Sequence, residues 1–134
     1  MKIIYGSKGT GKTKIVIDEA NALVEKAKGH IVFITDTKRY SYDINYNIRL
    51  INVSDFGICC ESCLLGFIKG IVAGNADNEY IFIDGILRII DKPLAELENF
   101  FNALDELSNK YGVNFILTCS ADLEALPEFI KKHL

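Results

Sequence analysis

A chain of 134 residues, 49% hydrophobic with two prolines, has the size of one domain and enough apolar material for a core, which excludes a disordered segment. A formal charge of −3, with lysines and acids interleaved, excludes a broad basic face for nucleic acid. No apolar run approaches ~18 residues, so no membrane span is expected.

The opening MKIIYG is too short an apolar run for a secretory signal, and the four cysteines are unevenly spaced. Reduced thiols in a cytoplasmic protein are therefore expected. Residues 2–5 (KIIY) read as a short buried strand. A helix is expected over 12–28, where Ile15, Ile17, Ala20, Leu23, Val24 and Ala27 recur at roughly helical spacing before Gly29. Residues 31–35 (IVFIT) are β-branched and apolar throughout, as in a parallel strand covered on both faces. A weaker strand is expected over 48–53, where polar and apolar residues alternate. The stretch 60–73 reads as a helix with Cys60, Leu64, Phe67, Ile68 and Ile71 on one side. Residues 80–84 (YIFID) predict a fourth strand. Over 93–110 Pro93 suits a first turn, Leu94, Leu97, Phe101, Leu104 and Leu107 form a stripe, and Gly112 stops the helix. Residues 113–119 predict a fifth strand and 127–133 a closing helix. Alternating strands and helices imply an α/β three-layer sandwich with a mainly parallel five-stranded sheet. Ligands of such sheets bind at the carboxyl ends of the strands.

Residues 6–13 (GSKGTGKT) match G-x-x-x-x-G-K-[ST] at every fixed position, between a predicted strand and a predicted helix. Gly6, Gly9 and Gly11 permit positive φ and close approach of backbone amides to a phosphate; Ser7, Lys8 and Thr10 complete the loop. The helix opening at Lys12 directs free N–H groups and its dipole at an anion. Lys12 is expected on the β- and γ-phosphates and Thr13 on Mg²⁺. The strand at 80–84 delivers Asp84 to the same edge and resembles the Walker B element, which implies that Asp84 serves the metal by holding a Mg²⁺-bound water.

With those two elements the chain resembles a P-loop NTPase, and more closely a minimal core of the RecA-like branch. The resemblance implies Mg²⁺-dependent binding of ATP or another nucleoside triphosphate, with slow or partner-stimulated hydrolysis. It is similar to small bacterial proteins sometimes labelled twitching-motility (PilT-like) ATPases, but is far shorter than the true motors and lacks their boxes after the loop. Gly85 stands where this class often has a glutamate. Some RecA-like proteins take the base from the end of the strand after the first helix, which implies Asp36 here. The resemblance also implies a γ-phosphate sensor at Thr118 or Ser120. In a RecA-like order the 113–119 strand lies between the first strand and the 80–84 strand, leaving the first strand near an edge where a second copy or the last helix would cover it. In the kinase–GTPase branch the 80–84 strand lies directly beside the first strand.

Residues 36–47 (DTKRYSYDINYN) read either as a recognition loop or as a polar connection with packed tyrosine rings. The segment resembles the Asp–Arg–Tyr stretch of thymidine kinases, without the acid that family needs after Asp84. C-x-x-C at Cys60 and Cys63 has no second pair for zinc, so buried free thiols are expected. Arg88 is expected in a surface ion pair. Two rival functions follow: a small-molecule kinase, whose turnover rises with one metabolite, and a nucleotide-binding regulator that does not hydrolyse.

Overall fold

The apolar segments pair into one all-parallel sheet, β1 (Lys2–Gly6), β2 (His30–Thr35), β3 (Arg49–Asn52), β4 (Asn78–Ile83) and β5 (Asn114–Ser120), in the order β1-β5-β4-β2-β3. This computed structural model describes all 134 residues. Parallel neighbours need crossover connections. Helix α1 (Lys12–Leu23) links β1 to β2, and α2 (Glu61–Gly74) links β3 to β4. A short α3 (Ile86–Ile89) and then α4 (Glu98–Tyr111) link β4 to β5, and α5 (Glu128–Lys131) follows β5. Strand β5 thus separates β1 from β4, and the alternative with β4 beside β1 is overturned. No helix is long and apolar enough to cross a membrane.

The two faces of the sheet are covered unequally. Beneath α2, α4 and α5 lies a cluster of 23 buried residues, including Ile34, Ile83, Leu64, Ile68, Phe101 and Ile130. On the other face α1 alone supplies Val16, Ile17 and Ala20, and these pack on Phe33, Phe82 and Ile116. Phe33 and Phe82 stack with centroids 5.9 Å apart across β2 and β4. One helix cannot cover five strands, so the 36–48 connection completes that layer by burying Ile44 and Ile48. Asn21 of α1 ties it down: its Nδ2 donates to the Asp43 carbonyl at 2.8 Å and its Oδ1 accepts from Asn45 N at 2.9 Å.

Several expectations need correction. Strand β1 has a neighbour on one side only and buries just Ile3, so it is an edge strand and not a buried one. Helix α1 ends at Leu23, and the remaining residues to Lys28 form turns, as the Ala27 N–H returns to the Leu23 carbonyl. The single helix expected over 93–110 is two pieces, a 3₁₀ turn Leu94–Glu96 capped by Pro93 and then α4, because Leu97 between them, at φ −100° and ψ 16°, leaves helical geometry. The tyrosine rings do not all pack: Tyr42 and Tyr46 are 100% and 92% exposed. Cys59, Cys60 and Cys63 are exposed, not buried; Cys60 is the residue capping α2, so it precedes the buried stripe formed by Leu64, Ile68 and Val72.

Candidate functional site

Alternation along each strand places a polar side chain one step above the aromatic and aliphatic row beneath α1. Phe33 is followed on its face by Thr35, Phe82 by Asp84, and Ile116 by Thr118. These three polar residues therefore stand at the carboxyl ends of β2, β4 and β5, on the α1 side. All three are buried, Asp84 with only 1% of its surface exposed.

The 6–13 loop closes over this row. Three donors converge on the Ser7 carbonyl: Thr10 N at 3.3 Å, Thr10 Oγ1 at 2.8 Å and Lys12 Nζ at 2.9 Å. Lys12 is largely buried, and its ammonium turns back onto the loop's own Ser7 carbonyl. Gly11 caps α1 in the left-handed region, with φ 83°, and no side chain caps the helix. No acid occupies the first turn of α1 either. The N–H groups of that turn therefore present uncompensated positive ends.

Asp84 receives hydrogen bonds from three directions. Thr118 Oγ1 donates to Oδ1 at 2.7 Å, Thr13 Oγ1 lies 3.3 Å from both carboxylate oxygens, and Arg88 Nη2 donates to Oδ2 at 3.3 Å. Thr118 Oγ1 also accepts from Gly85 N at 2.7 Å. Arg88 bridges two acids, since its Nε and Nη2 reach the Asp36 carboxylate at 3.1–3.3 Å. The guanidinium is held above its usual pKa range, chiefly by the hydrogen bond to Asp36. Arg88 is in an ion pair at the surface, as expected from sequence, but its partners are Asp36 and Asp84, which makes it a wall of the site as well. Its signal in sequence was its place one helical turn after Asp84.

A cavity of about 570 Å³ opens over these groups, and only one of its fourteen lining residues is hydrophobic. Lys8, Lys12, Lys14, Arg39 and Arg88 face it with two carboxylates, Asp36 and Asp84. Five cations against two anions make a local charge of +3 on a chain whose formal charge is −3. The cavity suits an anion. Thr13, Thr118 and Ser120 also line it, so the loop, the end of β2, the end of β4 and the end of β5 meet in one place. Of the two sensor candidates, Thr118 already bridges Asp84 and Gly85, while the exposed Ser120 stands on the rim.

Thr35 was not singled out in the sequence, although its step from Phe33 would have found it. Its Oγ1 is buried with no hydrogen-bond partner. A hydroxyl in that condition forgoes about 1–3 kcal/mol unless a ligand or water supplies the partner. Thr35→Val is expected to leave thermal stability unchanged or raise it, while weakening any ligand whose shell uses the hydroxyl. Paired melting and ligand titration would check this, and a melting temperature well below wild type would mean the hydroxyl is satisfied within the fold.

Nowhere do three or more His, Cys, Asp or Glu side chains converge as a metal-holding group. The oxygen set at Asp84 is one carboxylate beside the Thr13 hydroxyl, with the orphaned Thr35 hydroxyl on the same sheet face. Such a set fits Mg²⁺, which keeps several waters and takes one or two carboxylates together with substrate phosphates. No protein-family model matches the chain, and no curated protein matches it in sequence.

Proposed function

We propose that the chain binds a Mg²⁺–nucleoside triphosphate, ATP being the leading candidate, at the cavity over the 6–13 loop, as a P-loop NTPase of RecA-like arrangement. The observation that carries the reading is a helix N-terminus with no side-chain cap, opening with Lys12 and Thr13, in contact with the buried Asp84 beneath a cavity of net positive lining. The strand order, with β5 between β1 and β4, supports the RecA-like variant.

In this reading the backbone N–H groups of the loop and first turn hold the phosphates. Lys12 leaves the Ser7 carbonyl to meet the β- and γ-phosphates, exchanging a neutral acceptor for a charged one. Thr13 and Asp84 would hold Mg²⁺, and Thr35 would bond a water of its shell. The metal, when bound, neutralises charge that develops on the phosphates. Ser120 on the rim suits a sensor of the γ-phosphate. Asp36 is the candidate base, yet its carboxylate is engaged by Arg88. It can reach a water only when that ion pair loosens. Slow unaided hydrolysis, raised by a partner or second copy, follows from that engagement.

The same observation favours a second reading, a nucleotide-dependent regulator that does not hydrolyse, because Gly85 offers no carboxylate and Asp36 is occupied. Titration of ATP with and without Mg²⁺, with phosphate release followed in the same samples, separates the two. Lys12→Ala is expected to lose about 1.5–3 kcal/mol of a charged hydrogen bond, or roughly ten- to over a hundredfold in Kd. Binding with release supports the NTPase; binding without release supports the regulator. Wild type that binds no nucleotide, or a Lys12→Ala variant that binds as wild type, sinks both.

A further inference from the structure

A second cluster of reactive side chains lies away from that cavity, at the start of α2. Cys60 caps the 14-residue helix in an extended conformation, φ −127° and ψ 163°, and its Sγ accepts from Cys63 N at 3.4 Å. Ser62 Oγ lies 3.6 Å from the same sulfur. All three thiols of the CCESC stretch are exposed, and no disulfide joins them. Cys59 and Cys60 face a cleft of about 410 Å³ whose other wall includes Ile90, Asp91 and Lys92. Lys92 Nζ bridges the cleft to Glu61 at 2.8 Å, so the acid nearest the thiols is paired with a cation. A sulfur at a helix N-terminus that accepts backbone N–H is stabilised as thiolate.

We propose that Cys60 and Cys63 form a redox-reactive dithiol that exchanges with low-molecular-weight disulfides, Cys60 being the attacking sulfur and Cys63 the resolving one. The proposal is independent of the nucleotide reading. The supporting asymmetry is that the Cys60 thiol is held below its usual range, chiefly by a hydrogen bond from the Cys63 thiol, while Cys63 is raised by the same partner. The thiolate is the nucleophile in exchange, so the first attack falls to Cys60. Its sulfur bonds to one sulfur of RSSR, the S–S bond breaks, and RS⁻ leaves. Cys63 then gives up its proton and attacks the Cys60 sulfur of the mixed disulfide, releasing the second RS⁻. Two protons from the protein thiols convert the leaving groups to two RSH. The dithiol is oxidised by two electrons and the disulfide is reduced by two. Cys119 does not compete, because burial at the end of β5 pushes its thiol up to about 11.

The test treats the reduced, full-length protein with glutathione disulfide, quenches by alkylation and maps the modified cysteines by peptide mass. Loss of two of the four alkylatable thiols is expected, as a Cys60–Cys63 bridge, with two glutathiones released per chain. Cys63→Ser is expected to stop at glutathione on Cys60, and Cys60→Ser to leave Cys63 largely unmodified over the same interval. The native chain is expected to react faster than the same chain in urea, since the helix terminus activates the sulfur only when folded. Glutathione arriving first on Cys59 or Cys63, a bridge through Cys59 or Cys119, or equal rates for native and denatured chains would each overturn the proposal.

Discussion

Asp84→Asn is expected to abolish the Mg²⁺ dependence of nucleotide binding and to raise the Kd for Mg·ATP by roughly ten- to over a hundredfold, the worth of about 1.5–3 kcal/mol for an interaction with a charged partner. The reasoning starts from its surroundings. The carboxylate is 1% exposed and accepts from Thr118, Thr13 and Arg88. An ionised carboxylate is acceptor-only, whereas an amide presents two donors where Thr13 and Arg88 also donate. The variant must therefore leave at least one of those contacts unmade. Arg88 keeps Asp36, so the guanidinium is not orphaned and the folding cost stays near 1–3 kcal/mol. Thermal melting reads the first effect and titration at fixed ATP with varied Mg²⁺ reads the second. A variant that is less stable yet binds Mg·ATP as wild type would leave Asp84 a structural residue and remove the metal from the proposal.

Gly85→Glu, which inserts the acid missing after Asp84, is expected to destabilise the fold without gaining turnover. Gly85 sits at φ 83°, which costs a side-chain-bearing residue about 1–2 kcal/mol. A Cβ there would also run into the Arg88 guanidinium. That group is fixed by two acids and cannot retreat freely. The total is expected at about 2–4 kcal/mol, read as a lower urea midpoint. Gly85→Glu combined with Arg88→Ala removes the clash but keeps the backbone strain, so it recovers only part of the loss. A single Gly85→Glu that loses no more than about 1–2 kcal/mol, the backbone strain alone, would show that Arg88 moves easily. Asp36 would then be far more accessible as a base than its ion pair implies.

The sequence made the α/β class legible because most of its strands carry short apolar runs and its helices carry separated stripes. It made part of the cavity lining legible because the glycines, Lys12 and Thr13 stand at a recognisable fixed spacing between a strand and a helix. What it hid depends on partners distant in the chain. Arg88 lies 52 residues from Asp36, and nothing local says that the two meet. Thr35 is one threonine among several until the phase of β2 is known. Cys60 was misread because helical periodicity was extended back onto the cap itself, where side-chain direction no longer follows it. The break near Leu97 escaped notice because the apolar stripe continues across it.

The position of β1 at the border of the sheet has a consequence for how the molecule comes into being. Its ladder partner is β5, Lys2 lying opposite Ile116 and Gly6 opposite Ser120, so the first strand is held by the last. Closing so long a loop is entropically slow, and non-local parallel pairing lengthens folding further. Strands β2, β3 and β4 can align while β1 still has no ladder partner. The 6–13 loop hangs from β1, so it is expected to take its shape only once β1 has paired with β5. A chain in which β1 had not yet paired would expose an apolar strand with open amides to other chains. If the proposed nucleotide site is real, capture of its ligand would report that β1 and β5 have paired.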